Sequence, residues 1–267
     1  MVRFFQITIL ICLGLLLTGC EGPKKDDALW KNVKIGEIAP SQGATAPRSQ
    51  LLKTINLDIH IFEMPAEKVS ALDDIWPMLY TEPLRLNQAS FKANLFAAGF
   101  GQIRIWNRIR ELLLNADGRR IERASLLLFD GQSEESIITR LNETQTVFYA
   151  SSEGSMEGAT VGPGTIGLRI KAEKIPGLRG VCNVNAQPVF TSPTKSPIPE
   201  LAAFEQSGDF SFSSAGFELK MSPGDFVFLG PEKYSGDKMT LGSLFFSRPG
   251  RRPVVRTYLI VCTRIND

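Results

Sequence analysis

The sequence predicts an α+β fold that is rich in β-structure and mostly antiparallel. Many short apolar or alternating segments are separated by Gly, Pro and Asp turns, which is the pattern of antiparallel strands. Only two segments, both in the N-terminal half, have the apolar spacing of a short amphipathic helix. The chain has 267 residues, of which 43% are hydrophobic, and this is enough for one domain with its own core.

The globular part begins with a predicted strand, followed by the two predicted helices. In the strand, apolar residues alternate with polar ones: Ile55, Leu57, Ile59 and Ile61. The first helix is predicted to start at Pro65 and has apolar residues at helical spacing: Val69, Leu72, Ile75, Trp76 and Leu79. The second helix is predicted between Ile103 and Leu114, where an apolar stripe lies among arginines.

Most segments after residue 121 are predicted to be strands. In order, they are ERASLLLF, TQTVFYA, TIGLRIKAEKI, LRGVCNVNAQPVF, DFSFSSAGFELKM, DFVFLG, GSLFF and VVRTYLIVCTRI. The intervals between them, with turn residues at each break, favour antiparallel sheets over alternating strands and helices.

The first 19 residues have the features of a secretory signal peptide. Arg3 supplies a positive charge, and the run from Phe4 to Leu17 is apolar except for Gln6 and Thr8. A helix of that length extends ~21 Å, which is shorter than the ~30 Å of a bilayer core. The run therefore favours a cleaved signal over a permanent membrane span.

Leu17-Thr18-Gly19-Cys20 follows this run and resembles the lipobox of bacterial lipoproteins. The resemblance implies cleavage between Gly19 and Cys20 and attachment of acyl chains, palmitate among them, to Cys20. Two or more chains anchor a protein stably in a membrane. The alternative is an ordinary secretory signal with an unrelated cysteine. Glu21 stands where an Asp would retain an enterobacterial lipoprotein in the inner membrane, which favours the outer membrane and a periplasm-facing body.

Three parts of the chain are therefore expected. Residues 1–19 are the lipoprotein signal peptide, and residues 20–50 are the lipidated N-terminus and a flexible tether. The tether mixes Pro, Gly, Ser and charge without a sustained period of 2 or 3.6. Residues 51–267 are the β-rich domain.

The composition argues against an enzyme. His60 is the single histidine, so a multi-histidine site is excluded, and its place on the polar side of the first strand predicts a surface residue. The Gly-rich loop at Gly162–Gly167 lacks the following helix that a dinucleotide site requires. We expect no catalytic residue, no metal and no cofactor. The 30 basic and 28 acidic side chains are spread along the chain, so no nucleic-acid partner is expected either.

Cys182 and Cys262 are the two thiols that remain after Cys12 leaves with the signal and Cys20 is modified. Each lies in an apolar segment that is predicted to be a central strand. A disulfide requires Cα atoms within about 7 Å of each other, which the sequence alone does not establish. Two buried, unpaired thiols are favoured, and a Cys182–Cys262 disulfide is the alternative.

Four groups of segments occur in an order that is shared with a known family. They are INLDIHIFEMP, with Glu63 near its end; ASLLLFDGQSEESI; VGPGTIGLRIKAEKI followed by GVCNVNAQPVF, with Gly167 and Leu168 at a Gly-hydrophobic signature; and PGDFVFLG, LGSLFFSR and RTYLIVCTRI. This order resembles the C-terminal homology region of secretins, the ring-forming outer-membrane channels of type II secretion and type IV pilus systems.

The resemblance covers residues 53–265 and implies a structural role in an envelope secretion or pilus assembly. Its partners would be the membrane, through the lipid, and either further copies of this chain or secretion-system components. The long gate hairpins of the family have no clear counterpart, so a β-scaffold without a conducting pore stays open. The alternative function is a lipid-tethered binding module that recognises a peptide, a polysaccharide or a partner protein.

Overall fold

A computed structural model describes residues 53–193, 208–236 and 239–266. By its internal contacts the chain separates into Met1–Gln50 and Leu51–Asp267, and all described residues belong to the second unit. That unit is β-rich, with two large antiparallel sheets and few short helices, so the predicted fold class is confirmed. The predicted end of the signal peptide at residue 19 and the predicted end of the tether at residue 50 stay predictions.

The strands and helices of the described part follow one another in this order: β1 (Thr54–Pro65), 3-10 helices at Ala66–Asp74 and Trp76–Met78, β2 (Arg85–Leu86), α1 (Gln88–Ala93), β3 (Phe96–Gln102), α2 (Ile103–Asn115), β4 (Arg119–Phe129), β5 (Ser133–Leu141), β6 (Gln145–Ala150), β7 (Met156–Val161), β8 (Gly164–Lys174), β9 (Cys182–Thr191), β10 (Phe210–Ser211), a 3-10 helix at Ser213–Ala215, β11 (Phe217–Met221), β12 (Asp225–Pro231), α3 (Leu241–Phe246), β13 (Ser247–Arg248) and β14 (Val254–Asn266).

Two six-stranded sheets form a sandwich. Sheet A has the order β3-β12-β14-β1-β4, with β13 also paired to β14, and sheet B has the order β2-β11-β9-β8-β5, with β10 also paired to β9. β6 and β7 form a separate hairpin. β1 and β14 pair antiparallel from Thr54 opposite Asn266 to Pro65 opposite Val254, so the two ends of the domain form the centre of sheet A.

Both faces of sheet A are covered. One face packs on sheet B, and β8 shows the expected alternation because Ile166, Leu168 and Ile170 all point into this core. The other face carries Phe62 and Phe228, which pack under the 3-10 helices and under the buried stripe of α2. Sheet A is therefore the middle of three layers where these elements cover it, and β12 and β14 are buried on both faces over much of their length.

The first predicted helix differs from the structure, and the second is confirmed. Two 3-10 helices occupy the segment after Pro65, with the break between them at Ile75. Pro77 lies at the start of the second, where its missing N–H is tolerated. α2 spans the second predicted helix and buries Ile109 and Leu113, one turn apart on the face towards sheet A.

GSLFF was predicted to be a strand, and this prediction is wrong. The segment lies in α3, where five of six residues are buried, so the period-2 alternation of a half-buried strand is missing. Gly242 allows the close approach of α1's end: a Cβ at this position would lie 2.1 Å from the backbone oxygen of Asn94. Thr240, before the helix, contacts the hydroxyl of Ser243 at 2.9 Å. Short apolar runs are ambiguous between helix and strand, and tertiary packing decides here.

Candidate functional site

The residues predicted to carry the membrane anchor, Gly19 and Cys20, lie outside the described residues. Lipidation therefore stays a prediction. Within residues 53–193, 208–236 and 239–266, no helix is both long and apolar enough to cross a membrane.

Cys182 and Cys262 come from opposite sheets and meet at the turn between β11 and β12. The thiol of Cys182 contacts the backbone oxygen of Met221 at 3.6 Å, and the backbone N–H of Gly224 donates to the oxygen of Cys262 at 2.8 Å. Because Met221 and Gly224 are three residues apart, this turn brings the two strands together. Both thiols are buried and free, and they hydrogen-bond to each other. The choice between thiols and a disulfide in the cell stays a prediction.

The hydrogen bond to Cys182, together with burial, raises the pKa of the Cys262 thiol. Cys262 is therefore protonated at neutral pH. The contact with Cys262 lowers the pKa of the Cys182 thiol, and burial opposes this effect.

His60 is half-buried beside α2 and is less exposed than the sequence suggested. Burial lowers the pKa of its imidazole, Asp58 opposes this effect, and Arg120 and Arg123 add to it. The ring is therefore neutral at pH 7. In the described part of the chain, no three His, Cys, Asp or Glu side chains are grouped so that they could hold a metal ion.

Asp58 organises a charged cluster on the outer face of sheet A. Its carboxylate accepts hydrogen bonds from Arg123 at 2.7 Å and from Ser125 at 2.5 Å, both on the neighbouring strand β4. Burial alone raises the pKa of Asp58, but the bonds from Ser125 and Arg123 outweigh it, so the pKa is lowered. These contacts fix the register of β4 against β1.

Glu63, the acid near the end of the first strand, has a similar role close to the C-terminal end of β1. It accepts from Arg256 at 2.8 Å and lies 3.8 Å from Arg119, so it joins β14 and β4 to β1. Glu135 of β5 accepts a hydrogen bond from Thr191 at 2.9 Å and lies 3.4 Å from Arg169. These carboxylates are engaged in pairing between strands, which gives them a structural role.

One side of the sandwich is open. β4 and β5 are the outermost strands of sheets A and B, and the turn at Asp130-Gly131 joins them, so both edges lie on the same side. No other described strand pairs with the free edge of β4. Large apolar side chains are exposed on these two strands: Ile121 (37%), Leu127 (56%), Phe129 (38%) and Ile137 (51%).

The two halves of β4 differ in charge. The first half carries Arg119, Arg120, Glu122 and Arg123, and charges of this kind protect an edge strand from pairing. The second half, Ala124–Phe129, has no charged residue. We name this second half the open edge. The sequence revealed that this segment is a strand, but its position at the edge depends on the strand order.

Comparisons with known proteins give weak similarity to solved structures alone. No protein-family model matches the chain, and no curated protein matches it. Among solved structures, it is similar to the InvG secretin domain β-barrel from the Salmonella SPI-1 injectisome, with 12% identity and a TM-score of 0.27. The match covers 81% of this chain and 64% of that chain, so it spans less than two thirds of the neighbour's length.

Proposed function

We propose that this protein is a lipid-anchored structural component of an envelope secretion or pilus assembly. Its acyl groups on Cys20 hold it on the periplasmic side of the outer membrane, and residues 51–267 are its assembly domain. The β-domain contributes to the assembly by adding its open edge to a strand of a second copy of the chain.

The open edge is the observation that carries this proposal. An edge strand presents a row of unpaired backbone N–H and C=O groups, which makes it a template for pairing with another chain. Monomeric proteins usually block such edges with charge, proline or a covering loop. Ala124–Phe129 has no charge and no proline, and no other described strand pairs with its free edge. Leu127 and Phe129 are exposed on it, and Ile137 is exposed on β5.

The order of segments along the chain supports the same proposal. The resemblance to the secretin C-terminal region includes both strands of the open side, in ASLLLFDGQSEESI, and the lipobox-like sequence at Cys20 supplies a membrane attachment. In the described part, no three His, Cys, Asp or Glu side chains are grouped so that they could hold a metal ion. Asp58 and Glu63 each accept a hydrogen bond from an arginine on a neighbouring strand.

The test compares the size of the full chain, expressed in a bacterium and purified in neutral detergent, with that of two variants. Leu127→Lys places a charge on the open edge, and Leu178→Lys is the matched control because Leu178 is 50% exposed in the turn between β8 and β9. We expect an oligomer for the wild type and for Leu178→Lys, and a smaller species for Leu127→Lys. A wild-type monomer at every concentration would contradict the proposal.

The anchor is tested separately by fractionation. Wild-type chain is expected in the membrane fraction with a modified Cys20, whereas Cys20→Ser is expected as uncleaved or released protein. Wild-type protein recovered in the soluble fraction with an unmodified Cys20 would contradict the anchor.

The alternative is a lipid-tethered binding module. It would use the same open edge to bind an extended segment of a different protein. In that case the wild type is monomeric alone, and Leu127→Lys abolishes its complex with a partner while Leu178→Lys does not. The size measurement on the purified chain therefore separates the two functions.

A further inference from the structure

A groove of about 660 Å³ lies between α2 and the outer face of sheet A. Its floor is apolar and is formed by side chains from three elements, among them Phe62 of β1, Leu113 of α2 and Val261 of β14. The indole of Trp106 forms part of the wall and packs on Phe62 with ring centroids 5.5 Å apart. Ile103 and Leu114, at the two ends of α2, are 56% and 54% exposed and extend the apolar wall towards solvent.

The titratable side chains that line this groove are two arginines and a histidine, and the histidine is neutral at pH 7. Arg110 comes from α2, Arg120 comes from β4, and His60 lies between them on β1. None of the lining residues is an acid. Arg110 and Arg120 are exposed, and neither forms an ion pair with another described residue. The carboxylate of Asp58, two residues before His60 on β1, already accepts hydrogen bonds from Arg123 and Ser125.

Two of the elements that form the groove, β1 and α2, offer no free backbone edge to an extended peptide. β1 is hydrogen-bonded to β14 on one side and to β4 on the other, and the N–H groups of α2 beyond its first turn are used within the helix. At these two elements a ligand is therefore recognised through side chains, by apolar contact and by the guanidinium groups. An apolar groove with a few convergent polar groups is typical of a small-molecule site, and 660 Å³ lies within the usual range for one.

We propose that this groove binds an anionic single-chain amphiphile, an acyl chain that ends in a carboxylate or a phosphate. The acyl chain lies along Phe62, Trp106 and Leu113, and the anionic head is held by Arg110 and Arg120. Guanidinium groups bind carboxylate and phosphate in a bidentate geometry, and the shape and charge of the groove are complementary to such a head and tail. This site is separate from the open edge and goes beyond the assembly role.

The experiment uses photo-crosslinking to the full chain in vesicles of neutral phosphatidylcholine. The probe is a fatty acid with a diazirine in its chain, and a probe of equal length with a trimethylammonium head is the charge control. After illumination and digestion, we expect the fatty acid to label peptides within residues 103–120. The cationic probe should label them far less.

Variants identify the residues that hold the head group. Arg110→Glu combined with Arg120→Glu should lower the labelling by roughly tenfold, as expected when charge-assisted contacts are lost. Arg251→Glu combined with Arg252→Glu is the matched control, because these exposed arginines lie before β14 and away from the groove. Its labelling should equal that of the wild type, and circular dichroism spectra should agree for all three proteins.

Equal labelling by both probes, or labelling that the groove variant leaves unchanged, would overturn the proposal. Cross-links that join two copies of the chain at residues 103–120 would also overturn it, in favour of an interface between copies. The size of the wild-type oligomer is measured without any fatty acid, so failure of this proposal is distinguishable from failure of the assembly role.

Discussion

The Tyr258→Phe substitution tests how the core is joined to α3, the segment that was predicted to be a strand. Tyr258 of β14 is fully buried, and its hydroxyl donates to the backbone oxygen of Phe245 in α3 at 2.8 Å. The last carbonyls of a helix have no partner within the helix, so this bond satisfies a group that would otherwise be buried and unpaired. Removing one partner of a buried hydrogen bond costs about 1–3 kcal/mol.

The variant isolates the hydroxyl because phenylalanine keeps the ring. The ring of Tyr258 contacts Phe245 and Phe246 with centroids 6.4 and 6.0 Å apart, and those contacts remain. Tyr258→Ala removes them as well and should cost about 3–5 kcal/mol, as for other buried aromatic rings. The difference between the two variants therefore separates the packing of the ring from the hydrogen bond.

The assay is urea unfolding of the full chain, followed by circular dichroism, with the free energy of unfolding extrapolated to water. Tyr80→Phe is the matched control because Tyr80 is 56% exposed, and its effect should lie within about 0.5 kcal/mol of zero. If Tyr258→Phe unfolds at the same urea concentration as the wild type, the hydrogen bond to α3 contributes nothing and the reasoning is wrong.

Three further predictions follow from other contacts in the core and on sheet A. The pKa of the Asp58 carboxyl is lowered in the folded protein. Its contribution to stability is therefore present above the pKa of the unfolded chain and is lost as the pH falls through the folded pKa. Asp58→Asn should reduce the loss of stability below about pH 4 in acid titrations. Gly101→Ala should destabilise by about 1–3 kcal/mol in thermal melts because a Cβ would lie 2.4 Å from a buried ring, whereas Gly250→Ala should be neutral because nothing lies within 4 Å. Cys182 and Cys262 should both be alkylated after denaturation without reductant, and a disulfide-linked peptide in the mass spectrum would contradict this.

Local pattern was sufficient for the long strands and for α2. The alternation in β1 and β8 and the apolar stripe of α2 each arise from one face that packs on the core, and such a period is visible in the sequence. β3 was missed because it is rich in Ala and Gly. Its glycines are required by Leu79 and Phe226, which would lie 2.5 and 2.4 Å from a Cβ at Gly99 and Gly101, and these neighbours are distant in sequence.

The candidate sites were less accessible to sequence reasoning because they depend on the order of the strands. That Ala124–Phe129 forms a strand is a local property, but its free edge exists only because β1 pairs on one side and no described strand pairs on the other. The groove likewise requires α2 to lie across β1 and β14. The meeting of Cys182 and Cys262 depends on the crossing from sheet B to sheet A at the turn after β11.

The open edge and the groove share strand β4, and this makes their separation testable. Arg120 lines the groove, and Leu127 lies seven positions further along the strand, a distance of ~23 Å at the usual rise of an extended chain. If an added strand pairs only with Ala124–Phe129, Leu127→Lys changes the oligomer and Arg120→Glu changes only the labelling by the fatty acid. If pairing continues along all of β4, the added strand passes the groove and both variants change both readouts. The charges on the first half of β4 favour the first outcome, because they disfavour pairing there.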